Sequence, residues 1–180
     1  MPADDTVPAS GAASTARLFY ALWPEPPLRE ALLAHQRAWS WPPGVSLTRP
    51  ERLHMTLHFL GELPRALLPA LAAALPPAQA PFGMLLAQPV LWRGGLAVLL
   101  APEAPAALVE LHSRLAAALH ALGLPTETRP FAPHVTLARR AHQARPPLQF
   151  DPIPWTARGA VLVESVRPHG GYRVLAEAPG

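Results

Sequence analysis

The chain has 180 residues, half of them hydrophobic, and a net charge of +3, a length that suits one domain or two small lobes sharing a core. It has no cysteine, and all 15 basic residues are arginine, so disulfides, thiolate catalysis, cysteine-ligated zinc, Schiff-base chemistry and P-loop chemistry are excluded. Arginine is also the better fork for phosphate oxygens, but the net charge is too small to argue for nucleic acid by itself.

Residues 1–16 (MPADDTVPASGAASTA) carry early acids and no apolar signal-sequence core, and read as a disordered leader. Residues 17–180 read as a single bilobal domain. No run of about 18 apolar residues is present, so no membrane span is expected and the cytoplasm is the expected compartment. Arg17–Trp23 reads as a buried strand. A helix follows from Pro27 or Leu28 to about Trp39, then a turn-rich loop at Ser40–Gly44. Leu53–Leu60 is a strand ended by Gly61, and Pro64–Leu75 an Ala/Leu helix. Phe82–Ala87 and Leu96–Leu100 read as strands, with Arg93-Gly94-Gly95 turning between them. Leu108, Leu111, Leu115, Ala118, Leu119 and Leu122 recur at helical spacing, which predicts a helix over Pro105–Leu122 capped by Gly123. Phe131–Ala138 is a strand and Ala141–Pro154 a proline-broken loop. Trp155–Glu164 and Tyr172–Ala176 close the chain as strands, joined across Pro168-His169-Gly170-Gly171. The class is α+β.

Two strands carry the same tetrad, H-M-T-L at His54–Leu57 and H-V-T-L at His134–Leu137. Residues i and i+2 of a strand share a face, so each motif presents an imidazole beside a hydroxyl, with Met55, Leu57, Val135 and Leu137 facing away. A lone H-x-T is uninformative; two, each in an apolar strand-like run and each followed by leucine, are not. Two such strands facing one cleft supply a base, an acid and two hydroxyl donors, enough for water to attack a phosphodiester without a metal. Each half also carries strands and an Ala/Leu helix, an internal echo that predicts two similar lobes about a pseudo-twofold with the motifs at its axis.

With both motifs placed, the chain resembles the 2H phosphoesterase superfamily. Within it, the chain is most similar to the RNA 2′,3′-cyclic phosphodiesterases formerly called 2′-5′ RNA ligases. The likeness runs from Arg17 to Ala176, through RLFYALWP, ERLHMTLHFLGELP, ELHSRLAAALHALGLP, RPFAPHVTLARR and VLVESVRP…GYRVLAEAP. It implies two α+β lobes, each an antiparallel sheet with flanking helices, around a V-shaped cleft. It further implies His54 as proton donor to the leaving 3′ oxygen and His134 as proton acceptor from water. Thr56, Thr136 and Arg139 are implied to bind the phosphate. The implied reaction opens a terminal 2′,3′-cyclic phosphate to a 2′-phosphate without metal or cofactor, with reversible joining of nicked RNA through a 2′-5′ bond implied beside it. The implied partner is RNA with a cyclic phosphate end, tRNA fragments included, and the implied state is monomeric. The chain departs from the family pattern at RGGLAVLLAP, where a Trp or Phe is commoner.

Strict alternation conflicts with the resemblance at one point. Arg139 lies an odd number of residues from His134 and should face away, whereas Arg140 has the cleft parity, so Arg139 needs a bulge near Ala138 to reach the site. By the same parity Phe59 is expected in the core, and His58 either in the cleft or at the surface. A zinc site of His54, His58 and His134 is disfavoured because i and i+4 in a strand lie ~13 Å apart. His35, His112, His120, His142 and His169 are expected exposed, and Trp39 and Trp41 to be packing residues. Specificity is expected from Ser40–Arg52 and Arg140–Pro154. A different 2H esterase acting on a small cyclic phosphate such as ADP-ribose 1″,2″-cyclic phosphate, or on 2′-5′ oligoadenylate, is an alternative. A non-catalytic RNA-binding module is another, against which both intact His-Thr pairs argue.

Overall fold

The sheet that holds both motifs is built from two strand–helix–strand units. The computed structural model describes residues 14–166 and 171–179. In the first unit β1 (Thr15–Leu22) leads through α1 (Pro26–Arg37) and the short β2 (Ser46–Leu47) to the motif strand β3 (Met55–Pro64), which pairs antiparallel with β1. In the second, β6 (Leu96–Leu100) leads through α3 (Ala106–Ala121) to the motif strand β7 (His134–Arg139), antiparallel to β6. The remaining elements are α2 (Leu68–Ala73), β4 (Phe82–Leu86), β5 (Gln88–Trp92), β8 (Ile153–Ala157), β9 (Val161–Val166) and β10 (Gly171–Glu177). Among the described residues the main sheet runs β10-β9-β1-β3-β7-β6-β5, with β2 on β7, while β4 and β8 form a separate pair. The motif strands β3 and β7 meet at one antiparallel pair, Met55 opposite Val135, and β2 adds Ser46 opposite Arg139 and Leu47 opposite Ala138. The α+β bilobal architecture expected from the sequence is the one found, with the motif strands side by side at its centre.

The core lies behind the motif strands. Leu53, Met55, Leu99, Val135 and Leu137 are buried in it, facing the apolar stripe of α3, Leu108, Leu111, Leu115 and Leu119. Burying one such leucine contributes about 2 kcal/mol, so Leu111→Ala should destabilise by roughly 2–5 kcal/mol. α3 ends as predicted: Gly123 takes φ +74°, and its N–H and that of Leu124 bond the carbonyls of His120 and Leu119.

Several boundaries differ from the sequence reading, each for a local reason. β1 begins at Thr15, so Thr15 and Ala16 belong to the sheet and not to a leader; residues 1–13 of that segment lie outside the described residues, as do Pro168, His169 and Gly170 of the expected Pro168–Gly171 turn. Gly61 does not end its strand. At φ +76° it sits in a bulge at Leu60–Gly61, and β3 continues to Pro64, which displaces the expected helix to a short 3-10 turn and α2. The unpredicted β5 carries Pro89, which it tolerates as the outer strand of the sheet. Trp155–Glu164 is two strands in different sheets, broken at Gly159, where a Cβ would lie 2.7 Å from Ala178. His35 is buried, its Nε2 accepting the Trp39 indole N–H at 3.2 Å, and His112 is stacked between His58 and Phe131; neither is exposed as expected. Trp39 and Trp41 stack on each other at 4.9 Å.

Candidate active site

Where β3 and β7 meet, the residues flanking the Met55–Val135 pair are His54 and Thr56 on one strand, Thr136 and His134 on the other. In antiparallel register this sets each imidazole toward the other motif's threonine. All four line one cleft of about 800 Å³. The two imidazoles are oriented alike. His54 Nδ1 contacts the Arg52 carbonyl at 2.6 Å, and His134 Nδ1 contacts the Ala132 carbonyl at 2.7 Å, in each case two residues back. A carbonyl can only accept, so Nδ1 carries the proton and donates, leaving each Nε2 for chemistry. Thr56 Oγ1 lies 3.0 Å from His54 Nε2.

Each motif strand bulges at its leucine. Along β3, Tyr20 pairs with His58 and Ala21 with Thr56, so Leu57 has no partner. Along β7, Ala97 pairs with Ala138 and Val98 with Thr136, so Leu137 has none. An unpaired residue reverses the facing of everything beyond it. Arg139 therefore lines the cleft, while Arg140, with φ +53°, lies outside it. The same reversal overturns the expectation for Phe59. It is 53% exposed and lines the cleft, with the Arg17 guanidinium 4.6 Å over its ring. His58 is turned to the other side, buried, with Nε2 2.8 Å from the His112 carbonyl. His54 and His58 thus face opposite ways, and among the described residues no three His, Cys, Asp or Glu are grouped to hold a metal ion.

Burial shapes the electrostatics. His54 is enclosed by Phe19, Trp23 and Tyr172, with ring centroids at 4.8, 5.7 and 5.3 Å. That burial pushes its pKa down to about 4, helped by the charges of His134 and Arg139 and opposed by the Arg52 carbonyl. Among the described residues, Trp92 is the one aromatic ring beside His134, at 4.6 Å. Its pKa is also lowered, by burial first and by Arg139, against the Ala132 carbonyl. The cleft wall is basic, with Arg17, Arg49, Arg52, Arg129 and Arg139 against one carboxylate, Glu127, which is itself bridged to Arg129 at 2.6 Å. Ser46–Arg49 line the cleft as the sequence reading expected of that loop. No residue of Arg140–Pro154 does; Glu127 and Arg129, from the connection before β7, take that place. Phe19, Trp23, Trp92 and Tyr172 were not singled out from the sequence. Alternation along β1 puts Phe19 and Trp23 on one face, but nothing local identifies Tyr172 or Trp92.

The site places two Nε2 atoms, two hydroxyls and a guanidinium around one space, an arrangement suited to proton transfer on both sides of an anionic centre. A second cavity of about 630 Å³, lined by Trp23, Leu28, Trp155 and Val161, holds none of these groups.

Comparison with known proteins finds relatives of the whole domain. The family model of the 2′-5′ RNA ligase superfamily matches residues 24–168. The RNA 2′,3′-cyclic phosphodiesterase of Thermus thermophilus is 34% identical, over 88% of this chain and 87% of its own length. The crystal structure of E. coli LigT complexed with 3′-AMP covers 91% of this chain and 97% of its own, at 25% identity and a TM-score of 0.75. That of TT0787 of T. thermophilus covers 90% and 96%, at 32% identity and a TM-score of 0.70.

Proposed function

Because the chain belongs to the 2′-5′ RNA ligase superfamily, we propose that it hydrolyses terminal 2′,3′-cyclic phosphates of RNA to 2′-phosphates, with His54 as general acid and His134 as general base. The observation that carries this reading is the pair of imidazoles held alike by Nδ1 and lining the same cleft, with His54 Nε2 meeting the Thr56 hydroxyl there. His134 Nε2 takes a proton from water as its oxygen attacks phosphorus. The bond to the 3′ oxygen breaks, and His54 Nε2–H protonates that oxygen. Thr56, Thr136 and Arg139 donate to the non-bridging oxygens, where charge grows in the transition state. A depressed pKa makes protonated His54 a strong acid, and the anionic phosphate restores the proton that burial disfavours. With a 5′-hydroxyl RNA end in place of water, the same residues join two ends: His134 takes the hydroxyl proton, the 5′ oxygen attacks phosphorus, the bond to the 3′ oxygen breaks as His54 protonates it, and a 2′-5′ bond is left. The chemistry needs no metal, the protein acts as a monomer, and the basic wall suits RNA, tRNA fragments among its substrates, better than a small cyclic phosphate.

The test offers the purified protein a short RNA ending in a 2′,3′-cyclic phosphate, alongside ADP-ribose 1″,2″-cyclic phosphate, with EDTA present. Conversion of the RNA end to a 2′-phosphate, unaffected by EDTA, is expected. Preference for ADP-ribose cyclic phosphate would select the small-molecule reading. Loss of activity in EDTA, restored by zinc or manganese, would remove metal independence.

A further inference from the structure

The bulge that brings Arg139 into the cleft is not stabilised by its own strand. The Leu137 carbonyl lies at the irregularity between β6 and β7, where the ladder skips a residue. A buried carbonyl without a donor is costly, so a bulge that persists needs partners from elsewhere. Two converge on it. The Thr48 N–H donates at 2.8 Å, and Gln36 Nε2, from the other unit's helix α1, donates at 2.8 Å. The second amide hydrogen of Gln36 goes to the Thr48 carbonyl at 2.9 Å. Gln36 is 5% exposed, and nothing in the cleft wall includes it. One buried amide thus ties the bulge of β7 to the segment that follows β2, whose Ser46 pairs with Arg139.

The first motif is tied in the mirrored way. There the residue after the bulge, His58, meets the His112 carbonyl of α3, the helix of the second unit. Each motif's bulge is therefore clasped by the helix of the opposite half. Without the clasp, a β7 that regularised its pairing with β6 would swing Arg139 out and Arg140 in, by the alternation of an unbroken strand.

We propose that Gln36, through its hydrogen bonds to the Leu137 and Thr48 carbonyls, is a positioning residue that holds Arg139 in the cleft. The proposal rests on the reading above, in which Arg139 serves the phosphate. The experiment is a double-mutant cycle on the full chain, with a cyclic-phosphate RNA, well below the unfolding temperature. Gln36→Met keeps the volume and removes both donors. Its kcat should fall by several-fold or more, with KM changing less, as in Arg139→Ala. The double variant should then lose no more than Arg139→Ala alone, because the two changes remove one contribution. A loss that multiplies across the two sites, or a folded Gln36→Met with wild-type kcat, overturns the proposal.

If Gln36→Met does not fold, Gln36→Asn takes its place, its amide one methylene short of both carbonyls. A second readout does not depend on turnover. Arg139 lowers the pKa of both His54 and His134, so NMR titration of the two rings should move upward in Gln36→Met as in Arg139→Ala. Rings that titrate as in wild type overturn the positioning role. A wild-type protein that leaves the RNA intact while the rings do shift would instead reject the functional reading and keep the positioning.

Discussion

β3 and β7 carry the same tetrad, the same bulge at its leucine and the same Nδ1 anchor two residues back, yet their imidazoles sit in different surroundings. Among the described residues His54 is enclosed by the rings of Phe19, Trp23 and Tyr172, whereas His134 has the one ring of Trp92. Five residues past each His, the bulge delivers a side chain into the cleft, and here too the copies part: Phe59 on β3, Arg139 on β7. The shared features are those a two-sided proton transfer needs twice, an oriented ring and an Nε2 turned away from its backbone anchor. The differing ones break the symmetry: β7 brings the Arg139 guanidinium to the cleft, and β3 the Phe59 ring with Arg17 over it.

The comparison can be broken most severely at the histidines. His54→Ala and His134→Ala should each lower kcat by on the order of 10²–10⁴, with circular dichroism unchanged, since each removes a polar cleft group and little core volume. A variant at either position with near-normal turnover ends the two-histidine mechanism. Arg139→Ala should lower kcat by at least ~10-fold with KM changing less, because its charge acts most in the transition state. Arg140→Ala should leave turnover on a nucleoside 2′,3′-cyclic phosphate unchanged; steady-state kinetics in which the two arginines trade places would mean that β7 runs regular in solution. Phe59→Ala should cost roughly 5-fold or more in kcat/KM on a nucleotide if its exposed ring stacks on a base. An abasic ribose cyclic phosphate should not register that change.

The finest test is the pH profile. Both imidazoles are lowered from 6.5 in the free protein, so the singly protonated form is most populated below that value. The kcat/KM maximum should therefore fall on the acid side of pH 6.5, and move upward in Arg139→Ala. A maximum above pH 7.5 would contradict the enclosed state of His54. Burial has a matching effect on stability. His35 also drops to about 4, so the unfolded chain binds its proton over the window from 6.5 down to 4 and the folded one does not. Stability is then complete above 6.5 and lost as pH falls, by up to about 3 kcal/mol for His35, measurable as a falling urea midpoint.

Much of this was legible locally. The paired tetrads, the absence of cysteine and lysine, and the stripe and glycine cap of α3 are short-range patterns that encode their own meaning, and they located both histidines and threonines in the cleft. Parity counting failed at Phe59, and required an unexplained bulge at Arg139, for a single reason. Alternation assumes an unbroken ladder, and whether Leu57 and Leu137 are paired depends on β1 and β6, which no tetrad reports. His35 and His112 were misread as exposed because their burial is decided by the partners that cover them, Trp39 in one case and Phe131 in the other.

The sequence by itself thus determined which chemical groups are available and which strands carry them, because composition and periodicity are properties of the chain alone. Only the tertiary structure decided which way the residues beyond each motif point and which imidazole is enclosed by aromatic rings. Those outcomes depend on the register between strands far apart in the chain, and on donors such as Gln36, 101 positions from the carbonyl it satisfies.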